Sequence, residues 1–137
     1  MISESAKLRE FAERYTAAWC SQSAPSVAAF FSPGGSLSVN GRAPAVGRKA
    51  ITEVVQGFMT SFPDLQVLLK EVFINGGRAE YHWTLIGTNT GPGGTGHRVR
   101  ICGFEVWRIG EDGLIAESQG RFDSAAYQHQ LVHGHEG

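Results

Sequence analysis

Residues 67–122 read VLLKEVFINGGRAEYHWTLIGTNTGPGGTGHRVRICGFEVWRIGEDGLIAESQGRF, and the alternation inside this run decides the fold. Side chains of a strand point to opposite faces in turn, so an apolar residue at every second position marks a strand with one face on a core. Ala79, Tyr81, Trp83 and Leu85 take one face of such a stretch, and Glu80, His82 and Thr84 take the other. Further on, Ile101, Gly103, Glu105 and Trp107 share a face, opposite Phe104 and Val106. The breaks are Asn75-Gly76-Gly77, the glycine-rich stretch 90–96 and Gly110-Glu111-Asp112-Gly113, all turn chemistry. Strands are therefore expected over 67–74, 78–88, 98–109 and 114–122, joined by hairpins into an antiparallel meander.

Upstream the spacing changes from two to three and four. Leu8, Phe11, Ala12, Tyr15, Ala18 and Trp19 form the stripe of an amphipathic helix ending near Cys20. Pro25, whose fixed φ suits a first helical turn, predicts a short second helix through Val27, Ala28, Phe30 and Phe31, broken by Ser32-Pro33-Gly34-Gly35. A short strand over 36–40 and a loop over 41–47 lead to a third helix with Ile51, Val54, Val55, Phe58, Met59 and Phe62 on one side. Pro63 ends it, because the residue before a proline is pushed out of the α region. Helices first and strands later is the α+β pattern, with N-terminal helices packed on a curved antiparallel sheet. The 137 residues are read as one domain, with a core over about 6–125 and a C-terminal tail over 126–137.

Composition excludes several classes of function. Apolar residues make up 42% and charged residues 18%, which is enough to build a core and rules out a disordered chain. A formal charge of −1 leaves no basic surplus for phosphates, so neither nucleic acid nor an acidic membrane surface is expected as a partner. The opening MISESAKLREFAERY lacks the unbroken apolar run of a signal or membrane span, which points to a cytoplasmic protein. Cys20 and Cys102 lack C-x-x-C spacing and are read as small buried apolar residues.

The order of elements and the local wording resemble the nuclear transport factor 2-like superfamily, and within it the SnoaL-like group. Trp83-Thr84-Leu85-Ile86-Gly87-Thr88-Asn89-Thr90-Gly91 is similar to the group's tryptophan strand and its G-T-x-x-G hairpin. Phe104-Glu105-Val106-Trp107-Arg108-Ile109, followed by Asp112-Gly113-Leu114-Ile115, resembles its penultimate hairpin, and Phe122-Asp123 stands where many members end the last strand. The resemblance implies a cone-shaped roll with a mixed sheet. Two pieces are similar to ketosteroid isomerase of the same superfamily: Arg14-Tyr15-Thr16-Ala17-Ala18, around its oxyanion tyrosine, and Glu105-Val106-Trp107-Arg108, around its neutral carboxylic acid. That enzyme's base would fall at Asn40, which takes no proton at neutral pH. The limonene-type epoxide hydrolases use an Asp-Arg-Asp set, where this chain has Gly103 before Glu105 and Gly120 on the last strand.

The resemblance thus implies a cyclase or isomerase acting on a small apolar carbonyl compound. Hydrogen bonds from Tyr15 and Glu105 would stabilise an enolate, and no metal or organic cofactor is called for. The base would be Asp123, a bound water, or missing, and Asp123 has the plainer reading of a cap on the segment 124–131. The pocket would be lined by Trp19, Asn40, Phe58, Phe62, Trp83, Trp107 and Phe122. Each of these residues has a plainer reading: Glu105 on the outer face beside an arginine, Tyr15 and the aromatics as filled core. Two further outcomes stay open, a pocket that binds an apolar ligand without turnover and a sheet used for self-association. Phe104 and Val106, on the face opposite Glu105, suggest a homodimer through the sheet. His82 is assigned to the outer face, and the glycine-rich hairpin to the pocket rim. His129 and His133 stand four apart, without the H-E-x-x-H pattern of a zinc site.

Overall fold

The computed structural model describes residues 4–135. Residues 1–3, at the head of the segment read for a leader, and 136–137, at the end of the tail, lie outside the described residues. The elements in order are α1 (Glu4–Cys20), α2 (Ala24–Ala28), β1 (Phe31–Val39), β2 (Ala45–Val46), α3 (Arg48–Ser61), β3 (Gln66–Asn75), β4 (Arg78–Thr88), β5 (Arg98–Ile109), β6 (Ile115–Phe122) and α4 (Ser124–His133). The six strands form one sheet in the order β2-β1-β6-β5-β4-β3. The meander β3–β6 is antiparallel as expected, and β1 joins β6 in parallel, which makes the sheet mixed. Irregular register between Leu69 and Glu71, between Phe31 and Ser36, and between Arg108 and Ile109 adds local bends. The result is a curved α+β roll with α1 laid against β3 and with α2 and α3 packed together beside β1.

Aromatic residues fill the space between helices and sheet. Trp107, Tyr15, Tyr81, Phe31 and Phe62 are fully buried. Tyr81 and Trp107 stack at 4.9 Å, and Tyr15 meets both edge-on at 5.3 and 5.2 Å. Burying each of these side chains contributes roughly 1.5–3 kcal/mol, so this cluster anchors α1 to the sheet.

The expectation for residues 25–35 is corrected. α2 stops at Ala28 and Phe31 already belongs to β1, because the Ile115 amide donates to the Phe30 carbonyl at 2.9 Å and draws the chain alongside β6. Pro33-Gly34-Gly35 bulges out between the paired residues Phe31 and Ser36, where no ladder bond is asked of the proline. Gly35 is required there, since a Cβ would come within 2.8 Å of the Ile115 carbonyl oxygen.

The segment read as a tail carries α4, and it is tied back to the sheet. β6 ends opposite Gly103, leaving the backbone of Arg100 unpaired on that side. The Gln130 side chain fills the gap, accepting from the Arg100 amide at 2.6 Å and donating to its carbonyl at 3.1 Å. The glycine-rich hairpin does not line the cavity, against the expectation of a pocket rim, and is tied to α3. The Gly91 amide and the Asn89 side chain both donate to the Ser61 carbonyl, closing the end of α3. Cys102 is exposed on the outer face and Cys20 is half-buried, its thiol 3.2 Å from the Val67 carbonyl, so the pair is not the buried pair expected. No helix among the described residues is long and apolar enough to cross a membrane.

Candidate functional site

Alternation along β5 turns Glu105 to the helix-covered face between Gly103 and Trp107, where only 7% of it is exposed. Its neighbours across the sheet are Tyr81 on β4 and Gly120 on β6. Three side chains donate to its carboxyl group. The Tyr15 hydroxyl lies 3.0 and 3.1 Å from Oε1 and Oε2, the Trp107 indole nitrogen 3.0 Å from Oε1, and the Ser118 hydroxyl 2.6 Å from Oε1. Oε1 is therefore saturated, while Oε2 has the Tyr15 hydroxyl alone.

Neither ion pair found among the described residues involves Glu105. A buried carboxylate without a countercharge is costly, and hydrogen bonds to a charged group return about 1.5–3 kcal/mol each. Burial wins: it pushes the Glu105 carboxyl above its ordinary range, against the lowering effect of the bonds from Ser118, Trp107 and Tyr15. Burial also raises the Tyr15 hydroxyl well above its usual value, helped by the Glu105 charge, so Tyr15 stays protonated and serves as a donor. Tyr81 is held in a different way. Thr16 spends its only hydroxyl proton on the Ala12 carbonyl at 2.7 Å, so the Tyr81 hydroxyl donates to Thr16.

Glu105 stands at the wall of a cavity of about 70 Å³. Trp19, Phe58, Trp83 and Phe122 line it, together with Leu37, Val39, Val54, Val67, Tyr81, Leu85 and Gly120. Val54, Phe58, Trp83 and Phe122 are only half-buried, so the space opens outward past them. Among the described residues Glu105 brings the one carboxyl group to this wall, which is otherwise apolar but for Tyr81.

Five expected site residues sit elsewhere. Tyr15 lies behind Glu105 in the core and reaches the cavity only through it. Trp107 is fully buried between Tyr81 and Tyr15, and only its indole N–H reaches Glu105. Phe62 ends α3 and is packed tightly over Gly87, where a Cβ would lie 3.0 Å from its own. Asn40, at φ 52°, ties β1 to β6: its amide donates to the Gly120 carbonyl and its side-chain oxygen accepts from the Phe122 amide at 2.9 Å. Asp123 is exposed and caps α4, accepting from the Ala126 amide at 3.0 Å, so it is not placed to act as a pocket base.

Ser118 is the partner of Glu105 that the sequence reading does not single out. Its signal is a small polar residue on the same face of β6 as Gly120 and Phe122, and pairing with Trp107 brings it beneath Glu105. His82 is on the outer face, stacked between Phe73 and Phe104 at 5.4 and 5.3 Å and 3.2 Å from Glu80. The His129 and His133 rings are 4.7 Å apart on α4, and no cluster of three metal-ligating side chains occurs among the described residues.

A curved sheet roofed by helices, with a carboxyl group set into the wall of an apolar cavity, is an architecture of the nuclear transport factor 2-like fold. Within it, the chain belongs to the SnoaL-like polyketide cyclase family, whose model matches residues 9–131. Its fold is shared with a putative SnoaL-like polyketide cyclase from Jannaschia sp. CCS1 (17% identity, 96% of each chain covered, TM-score 0.82). It is shared with a hypothetical protein of ketosteroid isomerase-like fold from Catenulispora acidiphila in complex with trimethylamine (15% identity, 89% of this chain and 92% of that chain, TM-score 0.78). A third similar structure is SalBIII, an epoxide hydrolase/cyclase-like enzyme of pyran ring formation in salinomycin (15% identity, 91% and 97% covered, TM-score 0.77). No curated protein matches the chain.

Proposed function

We propose that this protein is a cyclase- or isomerase-type enzyme in which Glu105 exchanges a proton with a small apolar carbonyl compound held in the cavity. The observation that carries this is the unequal loading of the carboxyl group, with Oε1 taken by three donors and Oε2 left with one. As a base, Oε2 takes a proton from the carbon next to the carbonyl, and the C–H electron pair passes to the carbonyl oxygen to give the enolate. The neutral acid formed at Oε2 returns that proton when the enolate closes or rearranges. A carboxyl group raised by burial is suited to both halves of the cycle near neutral pH. Tyr15 acts through Glu105 and not on the ligand, because its hydroxyl proton is committed to the carboxylate. The family match and the cyclase-like neighbours support the reaction class.

A second reading, ligand binding without turnover, is favoured by one observation. Among the described residues no second carboxylate and no histidine accompanies Glu105 in the cavity wall, and the Tyr81 hydroxyl there is committed to Thr16. Exchange of solvent deuterium into the α-carbons of cyclohexanone and 2-tetralone separates the two. Catalysed exchange that falls about 100-fold or more in Glu105→Gln and is unchanged in Asp123→Asn is expected. Equal rates in wild type and Glu105→Gln would leave binding as the function.

The protein is further assigned as a homodimer through the outer face of the sheet. Leu68 and Phe73 are 44% and 37% exposed there, on the same face as the half-buried Phe104 and Val106 two strands away.

A further inference from the structure

Gly120 lies directly across the sheet from Glu105 and lines the same cavity. A glycine inside a strand weakens it, so it calls for a reason: a left-handed backbone, a close approach of other atoms, or space for a ligand. The first two fail here. Gly120 is absent from the residues of positive φ. A Cβ built on it would meet only the Ser38 carbonyl oxygen at 3.4 Å and Glu105 Cγ at 3.9 Å, both ordinary contacts. Gly103, two residues before Glu105 on β5, is the contrast. A Cβ there would come within 2.5 Å of both the Arg121 carbonyl oxygen and the Trp83 ring, so packing alone demands that glycine.

The remaining reason is space beside the carboxyl group. We infer that Gly120 is a specificity-determining position: the room left by its missing side chain is where the proton-bearing group of the ligand meets Glu105 Oε2. This rests on the reading of Glu105 as the group that meets the ligand, and it adds where that meeting takes place. Oε1 is turned toward Ser118 and Trp107, which hold it from the packed side. A flat, neutral compound that brings a hydroxyl or enol edge over β6 therefore fits this spot, with its apolar remainder leading outward past Trp83 and Phe122.

Phenol and 2-naphthol carry such an edge and serve as probes, titrated by calorimetry into wild type, Gly120→Ala and Glu105→Gln. Gly120→Ala is expected to keep its melting temperature within a few degrees, since its methyl meets no clash, and to weaken 2-naphthol at least 10-fold. Glu105→Gln is expected to weaken both probes. If Glu105→Gln weakens binding and Gly120→Ala does not, the role of Gly120 is wrong while the reading of Glu105 stands. If neither variant changes binding, or wild type binds neither probe, both fall together. A Gly120→Ala protein that fails to fold would contradict the absence of a structural demand on this glycine.

Discussion

The two ends of the helix-covered face are built from the same residue types and do different things. At one end Trp107, Tyr81 and Tyr15 interlock at ring distances of 4.9–5.3 Å and leave no room. At the other, Trp83, Phe122, Phe58 and Trp19 stand around a cavity. The aromatic content of a strand thus does not tell a packed region from a pocket. What the rings close on does: Trp107, paired with Ser118, is closed on by Tyr81 and Tyr15, whereas Glu105, paired with Gly120, is left facing the cavity. Glu105 sits on the boundary, held from the packed end and open to the hollow one.

The largest effect should come from breaking the packed end. Trp107→Ala is expected to cost about 3–5 kcal/mol in denaturant unfolding, as a buried tryptophan does. Trp83→Ala, half-buried at the open end, should cost roughly 1–2 kcal/mol. Equal costs would erase the distinction between the two ends.

A smaller effect sharpens the boundary. Tyr15→Phe keeps the ring packing and removes one hydrogen bond to the carboxyl group, an expected loss of about 1.5–3 kcal/mol. Because that bond lowers the Glu105 pKa, its removal should also move the acid limb of the pH–rate profile to higher pH. A loss of stability with an unmoved limb would make Tyr15 merely structural.

Much of this architecture was legible in the sequence. The limits of β4 and β5 followed from alternation and turn residues, since both periods are written directly in the side chains. The meeting of Tyr15 with Glu105 was legible through the resemblance, and the face of Glu105 through its spacing from Trp107. The run 29–35 is ambiguous in sequence because Pro33 and the two glycines end a helix and fill a strand bulge equally well, and the parallel pairing with β6 decides between them. Phe62, Trp107 and Asn40 lie off the cavity for a reason that the sequence does not carry. Periodicity gives the face of a residue but not its depth along the sheet, and cavity lining depends on depth. Ser118 is not legible in the sequence, because its place beneath Glu105 is created by pairing with Trp107, eleven positions away in the chain, and by register alone.

The account rests on a carboxyl group at position 105 that burial holds above its ordinary range. Its linkage to stability follows: stability present below the unfolded value is lost as pH rises through the folded one, and Glu105→Gln should lack that loss. The most direct test is a carbon-13 NMR titration of the Glu105 carboxyl in the folded protein, assigned by comparison with Glu105→Gln. A midpoint clearly above the ordinary glutamate value of about 4.3 is predicted. A midpoint at or below that value would show a group that the three donors have stabilised as a permanent carboxylate, contradicting its role as a proton-exchanging one.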